Sequence, residues 1–297
     1  MLEIVKGYLK KREVKYKESA DLSRLSTVRI GGEAKILAEP QTIEELSDLL
    51  AFLKNNKIKC KILGRMSNVI PSDKPYDGVV VRTLGVKGLR LDGKVITVST
   101  GEMLPSLALR LAELGIDGLT PLSGIPGTVG GSIVGNAGAF GTEIAELVKS
   151  VTVYDGLEGG IITLPGTDLG FSYRSSILKN GRFTVLSAEL SLGYGERDAL
   201  IEQIKKYKEL RLDKQPTEPC AGSVFKRSAD YAASMLIDRC GLKGRRVGGA
   251  MISKKHAGFI INTGGAFQSD YIRLAAIAEK EVLLRFGVRL EREVEYL

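Results

Sequence analysis

Four short stretches of this 297-residue chain hold side chains that could do chemistry. FSYRSS at 171–176 offers Tyr173 and Arg174, and a fixed guanidinium there would be a fork for a carboxylate or phosphate. AGSVFK at 221–226 presents Ser223 after Gly222 on an expected turn, with Lys226 close behind. A serine hydroxyl is a weak acid, and no G-x-S-x-G elbow surrounds this one. GGAMISKKHAGFIIN at 248–262 combines a glycine pair, a basic turn bearing His256, and Asn262 at an expected strand end. Glu291, Glu293 and Glu295 alternate at the end of the chain and share one face if that run is a regular strand. Each stretch also has a plainer reading: a surface cation, a hydrogen-bonding turn serine, a structural histidine, a solvated strand edge.

The fifth stretch acts through backbone. Residues 123–141 read SGIPGTVGGSIVGNAGAFG, and seven of these nineteen residues are glycine. No lysine or arginine lies between Arg110 and Lys149. Such a loop suits a bulky phosphorylated ligand held by backbone N–H groups rather than by cationic side chains. It matches neither a Walker A loop nor G-x-G-x-x-G, so spacing alone leaves a purely structural glycine-rich turn open.

Composition narrows the classes. Apolar residues at 43%, charged residues at 26% and a mean hydropathy of +0.02 describe an ordinary soluble globular protein. The net charge of +8 favours an anionic partner, such as a nucleotide-sugar or dinucleotide. Scattered cations, no tryptophan and no RNP-like motif argue against nucleic acid. Cys60, Cys220 and Cys240 are far apart, and with a single histidine they predict neither a metal site nor a disulfide framework. The charged N-terminal stretch lacks a signal-peptide core, and glycines and prolines spoil residues 118–142 as a membrane span, so a cytoplasmic protein without membrane attachment is expected.

Several elements must position these residues. A short amphipathic helix opens the chain, and STVRIGGEAKILAEP reads as two short strands around Gly31–Gly32. Thr42 and Glu45 form a capping box for the helix TIEELSDLLAFLKNN, and KIKCKIL is a strand delivering the loop GRMSN at 64–68. A strand at 78–82, a hairpin turning at Asp92–Gly93 and a helix started by Pro105 follow. Beyond the glycine-rich loop come a short helix near 142–148, strands SVTVYD and RFTVLSAELSL, and a Lys/Glu-rich helix at 196–210. DKQPTEPCAGS at 213–223 is a linker, followed by a helix near 230–239, strands MIS and GFIINT, the helix DYIRLAAIAEKEVLLRF and a final strand RLEREVEYL.

Taken in order, STVRIGG, SGIPGTVGGSIVGNAGAFG, YRSS, AGSVFK, GLKG…GGAMISKKHAGFIIN and LEREV resemble the UDP-N-acetylenolpyruvoylglucosamine reductase family over nearly the whole chain. The short path from YRSS to the linker, with KKHAGF, resembles the family's shorter, type II subgroup, which lacks the additional substrate-covering loop and its tyrosine. The resemblance implies an α+β fold: a two-part FAD-binding region of the vanillyl-alcohol-oxidase/PCMH type at 1–84 and 85–212, then an α+β substrate-binding domain at 213–297. It places Arg29, Gly31, the loop Gly64, Arg65, Met66, Ser67 and Asn68, and Gly127, Thr128, Gly130, Gly131, Asn136 and Gly138 around FAD. Three positions depart from the family pattern: Met66 replaces a usual glycine, Ser228 a common proline, and Arg292 a usual proline.

By the same resemblance the chain reduces UDP-N-acetylglucosamine enolpyruvate to UDP-N-acetylmuramate, with NADPH as hydride-donating cosubstrate. Hydride reaches C3 of the enolpyruvyl group, and negative charge develops through C2 and the carboxylate. Arg174 by charge and Glu293 by a hydrogen bond, if protonated, would stabilise that charge, while Ser223 gives a proton to C2. Tyr173, Lys226, His256 and Asn262 are the expected substrate contacts, and no obligate protein partner is implied. Another FAD oxidoreductase on the same scaffold would keep the glycine-rich loop without the Arg174, Ser223 and Glu293 set. A phosphate- or nucleic-acid-binding module would lack a flavin altogether.

Overall fold

The computed structural model describes residues 2–228 and 230–297. The chain divides into two compact units interleaved along the sequence: 1–18, 35–65 and 77–209 form the first, and 19–34, 66–76 and 210–297 the second.

Two larger sheets build most of the first unit. One has four strands in the order Tyr16–Asp21, Glu33–Ala38, Tyr76–Arg82, Cys60–Leu63, the last two parallel with Leu63 opposite Arg82. Helices α1 (Leu2–Lys11) and α2 (Ile43–Asn55) supply its apolar cover, with Val5, Leu9, Leu46, Leu49, Leu50 and Leu53 buried together with Ile36, Val79 and Val81. The helical spacing of these leucines produces that face. Thr42 caps α2 by accepting from Glu45 N at 3.1 Å, and the Glu45 carboxylate accepts from Gln41 N, one residue upstream of the cap, at 2.8 Å. The other sheet is antiparallel, ordered Ile161–Pro165, Val148–Asp155, Phe183–Ser191, Val95–Ser99, Leu89–Asp92. Its apolar face packs on α3 (Leu104–Glu113) and α4 (Val129–Val134). The bidentate pair between the buried Asp155 and Arg182 closes the end of this sheet (Arg182 Nη2 to Oδ2, 2.6 Å), and the guanidinium holds that carboxyl well below the usual carboxylate range. Helix α5 (Arg197–Lys214) buries only Leu200, as its Lys/Glu-rich sequence foretells.

The second unit carries an antiparallel sheet ordered Cys220–Ser223, Phe259–Asn262, Ala250–Ile252, Arg246–Val247, against which α6 (Ala233–Arg239) and α7 (Gln268–Phe286) bury Leu236, Ile237, Tyr271, Leu274 and Val282. Val28, Ile30 and Ile70 complete this core.

Four local expectations change. Only Glu33–Ala38 forms a strand in STVRIGGEAKILAEP, because a 3-10 turn at Leu22–Arg24 and positive φ at Arg29 and Gly31 break the ladder before it. The glycine-rich stretch contains a helix, α4, started by the Thr128 hydroxyl accepting from Gly131 N at 3.2 Å. Residues 142–148 hold a two-residue strand (Thr142–Glu143) and a 3-10 turn (Ile144–Glu146) instead of a helix, since the Glu146 carboxylate caps Glu143 N at 2.7 Å. In the last run only Glu295–Tyr296 is strand, parallel to Val69–Ile70, so Glu291, Glu293 and Glu295 do not lie along one regular strand.

Candidate functional site

In the first unit, FSYRSS and the glycine-rich stretch are joined by side-chain bonds that no spacing rule foretells. Ser172 and Ser175 exchange backbone hydrogen bonds of 3.1 and 3.0 Å, so Tyr173 and Arg174 are the two central residues of a tight turn. Arg174 takes φ +55° there, and its guanidinium donates to the carbonyls of Asn136 (3.3 Å) and Gly138 (2.8 Å). It stacks 4.9 Å from the Tyr173 ring centroid and comes within 4.0 Å of the Glu143 carboxylate. Asn136, almost fully buried, donates both amide protons, to Ser172 O (2.9 Å) and Glu143 (2.7 Å), and accepts from Ala145 N (3.2 Å). Its side chain is therefore spent on holding the turn. Ser176 adds a bond to Val134 O of α4 at 2.7 Å.

Gly138 leaves room for its neighbours: a Cβ would lie 3.0 Å from both the Arg174 guanidinium and Glu143 Cγ, so those side chains would have to give way. At Gly130 a Cβ would sit 2.0 Å from Thr100 Oγ1, so this glycine serves the seating of α4. The N–H groups of Gly127, Gly130 and Gly131 donate within the protein, to Ile125 O, Thr100 O and Thr128 Oγ1. Among the described residues, the Thr128 N–H and the buried Ser132 hydroxyl have no protein partner.

In the second unit, Ser223 ends a strand rather than lying on a free turn. Cys220 faces Ile261 and Ser223 faces Phe259, so one extra residue bulges between them, with Gly222 at φ +80°. A bulge of this kind re-aims the side chain that follows it. The Ser223 hydroxyl makes no side-chain hydrogen bond among the described residues. Alongside run residues 291–293: Lys226 N donates to Glu291 O and Glu293 N to Val224 O, both at 2.8 Å. Asn68 Nδ2 donates to the Glu293 carbonyl at 3.1 Å, and Glu295 N to Asn68 O at 2.9 Å. Thus Ser223, Glu293 and Asn68, remote in sequence, lie on hydrogen-bonded neighbouring segments. Arg292, on the residue pair facing Phe225, does not use its own N–H in this pairing, so the family's usual proline would break no bond there. Here Arg292 grips Glu279 of α7 with two nitrogens and Tyr296 Oη at 3.1 Å.

The expected substrate contacts divide. Tyr173 is exposed, and Lys226 pairs with Glu291 at 2.5 Å. His256 Nδ1 accepts from Gly258 N at 3.1 Å, and burial lowers the imidazole pKa. Gly258 O in turn accepts from Val224 N, tying this turn to the strand of Ser223. Asn262 is buried and donates to the carbonyls of Val28 and Arg29, both at 3.0 Å, while accepting from Gly264 N and Ala266 N. Its amide protons hold the Arg29 turn, and its oxygen holds the 264–266 turn.

Non-glycine residues with positive φ gather in these stretches: Arg29 (+54°), Met66 (+56°), Asn136 (+41°), Phe140 (+51°) and Arg174 (+55°). Such conformations cost about 1–3 kcal/mol each and concentrate where ligands are handled. Met66 adopts the left-handed backbone that a glycine at this position would take freely. The N–H groups of Met66, Ser67 and Asn68 donate to no protein acceptor among the described residues, and Met66 is buried. Three consecutive unspent donors are the chemistry that a pyrophosphate needs. The first unit offers unspent donors of the same kind in the Thr128 N–H and the Ser132 hydroxyl.

Sequence reading missed Glu143, Ser172 and Ser176, whose roles come from contacts across 7 to 42 residues.

Comparison with known proteins places these features in a family. Residues 34–164 match the model of an FAD binding domain, and residues 215–297 that of the UDP-N-acetylenolpyruvoylglucosamine reductase C-terminal domain. The chain is 40% identical over 282 residues to the UDP-N-acetylenolpyruvoylglucosamine reductase of Carboxydothermus hydrogenoformans, covering 94% of this chain and 93% of that protein. The crystal structure of UDP-N-acetylenolpyruvylglucosamine reductase from Thermus caldophilus superposes with a TM-score of 0.79 at 32% identity, covering 95% and 98% of the two chains. Berberine bridge enzyme from Eschscholzia californica shares the fold at a TM-score of 0.50 and 16% identity, over 65% of this chain and 44% of that one. With both parts matched and the likeness running end to end, the chain belongs to the UDP-N-acetylenolpyruvoylglucosamine reductase family.

Proposed function

We propose that Arg174, Ser223 and Glu293 carry the reduction of UDP-N-acetylglucosamine enolpyruvate to UDP-N-acetylmuramate, the NADPH-dependent reaction of this FAD-containing family in peptidoglycan precursor synthesis. When bound, FAD accepts hydride from NADPH and supplies it to the enolpyruvyl double bond. The protein's part is to orient the substrate and to handle charge and a proton. Arg174 meets the negative charge that grows on the substrate carboxylate as C3 gains hydride. Glu293, when protonated, adds a hydrogen bond to the same charge. The Ser223 hydroxyl gives its proton to C2, a downhill transfer because the acceptor is a strongly basic carbon.

The observation that carries this reading is the rigid seating of Arg174. A guanidinium pinned by two carbonyls in a left-handed turn is preorganised for one anionic group rather than for bulk solvent. Residues 1–212 hold FAD in this reading, and 213–297 hold the UDP-sugar. Tyr173, Lys226 and His256 reach the substrate, while Asn262 acts by placing Arg29. NADPH and a nucleotide-sugar are the partners, and a cytoplasmic site supplies both; nucleic acid, membrane and an obligate protein partner have no part in it. Among the described residues no helix is long and apolar enough to cross a membrane.

Purified protein tests the reading. It should be yellow with flavin absorption and should oxidise NADPH in proportion to added enolpyruvyl substrate; colourless protein that cannot be loaded with FAD overturns it. Ser223→Ala should leave flavin reduction by NADPH within about twofold and slow substrate-driven reoxidation about 10²–10⁴-fold. If both half-reactions keep their rates, Ser223 is not the acid.

A further inference from the structure

We infer that Glu143 is a positioning residue for Arg174, holding the guanidinium in register for the substrate carboxylate through Asn136 and the Gly138 strand. The inference rests on the assignment of Arg174 given above and extends it. The Glu143 carboxylate lies 4.0 Å from the Arg174 guanidinium, beyond direct hydrogen bonding but close enough to bias a cation. Its other oxygen accepts from Asn136 at 2.7 Å, and Asn136 in turn fixes Ser172 O at the base of the Arg174 turn.

The backbone explains why these groups meet. Gly138 pairs with Glu143 and Ala139 with Thr142, and the two residues between, Phe140 and Gly141, both take positive φ. That is the geometry of a two-residue type I′ hairpin, which prefers Asn or Gly over phenylalanine. Phe140 is held in this conformation by stacking on Tyr207 of α5, with centroids 4.1 Å apart and planes 21° apart. The hairpin therefore presents the Gly138 carbonyl and the Glu143 carboxylate to one guanidinium. With no side chain on Gly138, Arg174 and Glu143 both approach the site where a Cβ would stand to 3.0 Å. Removing the carboxylate unties Asn136, so one change loosens both the turn and the carbonyls that Arg174 grips.

Displacement of a catalytic cation by less than an ångström costs rate rather than binding of the rest of the substrate. In FAD-loaded enzyme, Glu143→Ala should slow substrate-driven flavin reoxidation on the order of tenfold, while flavin reduction by NADPH stays within about twofold. Glu143→Gln keeps an acceptor for Asn136 and should recover part of the rate, and it replaces the alanine variant if that fails to fold. In an Arg174→Ala background the Glu143→Ala effect should vanish, because residues acting as a unit are not additive. Equal losses in both backgrounds, or reoxidation at the wild-type rate in Glu143→Ala, overturn the inference. An Arg174→Ala enzyme with unchanged reoxidation would instead overturn the role of Arg174 itself.

Discussion

Met66 stands where two residue-scale effects oppose each other. Its φ of +56° costs about 1–3 kcal/mol that a glycine would not incur. Its buried side chain contributes about 2–5 kcal/mol of packing that a glycine would forfeit. Burial is the larger quantity, so Met66→Gly should lower stability by roughly 1–2 kcal/mol in urea denaturation, despite restoring the family's usual residue. A variant more stable than wild type would show that backbone strain dominates. Asn136 and Asn262 teach a related lesson. Both occupy positions that the family resemblance assigns to ligands, and both spend every side-chain hydrogen bond on backbone or side chains of their own unit. What each holds directly is a turn of its own unit.

Among elements, α5 is the least packed helix, with one buried residue, yet its Tyr207 holds the hairpin tip through Phe140. Gln203 steadies that ring by donating to its hydroxyl at 2.9 Å. Tyr207→Ala should therefore cost about 0.5–1.5 kcal/mol of stability from the lost ring pair. It should also slow substrate-driven reoxidation more than flavin reduction, because the hairpin end carrying Gly138 loosens. Equal slowing of both half-reactions would count against the latch. The bulge at Gly222 works on the same scale: one extra residue between Cys220 and Ser223 changes which way Ser223 points without altering the sheet. Sequence showed a glycine before a serine; it did not show a register shift, because that depends on the partner strand Phe259–Asn262.

At the scale of the whole molecule, the +8 charge suits a protein whose three ligands are polyanions, and it adds self-repulsion as pH falls. His256 adds to the acid sensitivity. Burial depresses its folded-state pKa below the ordinary 6.5, so the unfolded chain binds its proton more readily. Stability is then full above about pH 6.5 and declines as pH falls from there toward the depressed folded value. Urea midpoints at about pH 7.5 and about pH 5.5 should differ in wild type and differ less in His256→Gln. An undiminished difference in the variant would assign the acid sensitivity elsewhere, for instance to the carboxylates.

Periodicity and capping, which act within a few residues, were enough to read α2 with its Thr42 cap, the Asp92–Gly93 hairpin, the long α7 and the strands Val148–Asp155, Phe183–Ser191, Ala250–Ile252 and Phe259–Asn262, but not Ile161–Pro165, Cys220–Ser223 or Arg246–Val247. The ordered motifs were enough to point to a flavin and to name Arg174, Ser223 and Glu293 as candidates. Tertiary structure alone decided that the glycine-rich stretch contains a helix, that much of its backbone N–H capacity is consumed within the protein, and that Asn136 and Glu143 gather beside Arg174. The reason is range: a helix face is written in every third or fourth residue, whereas a carbonyl that receives a guanidinium 36 residues away carries no mark in its own neighbourhood.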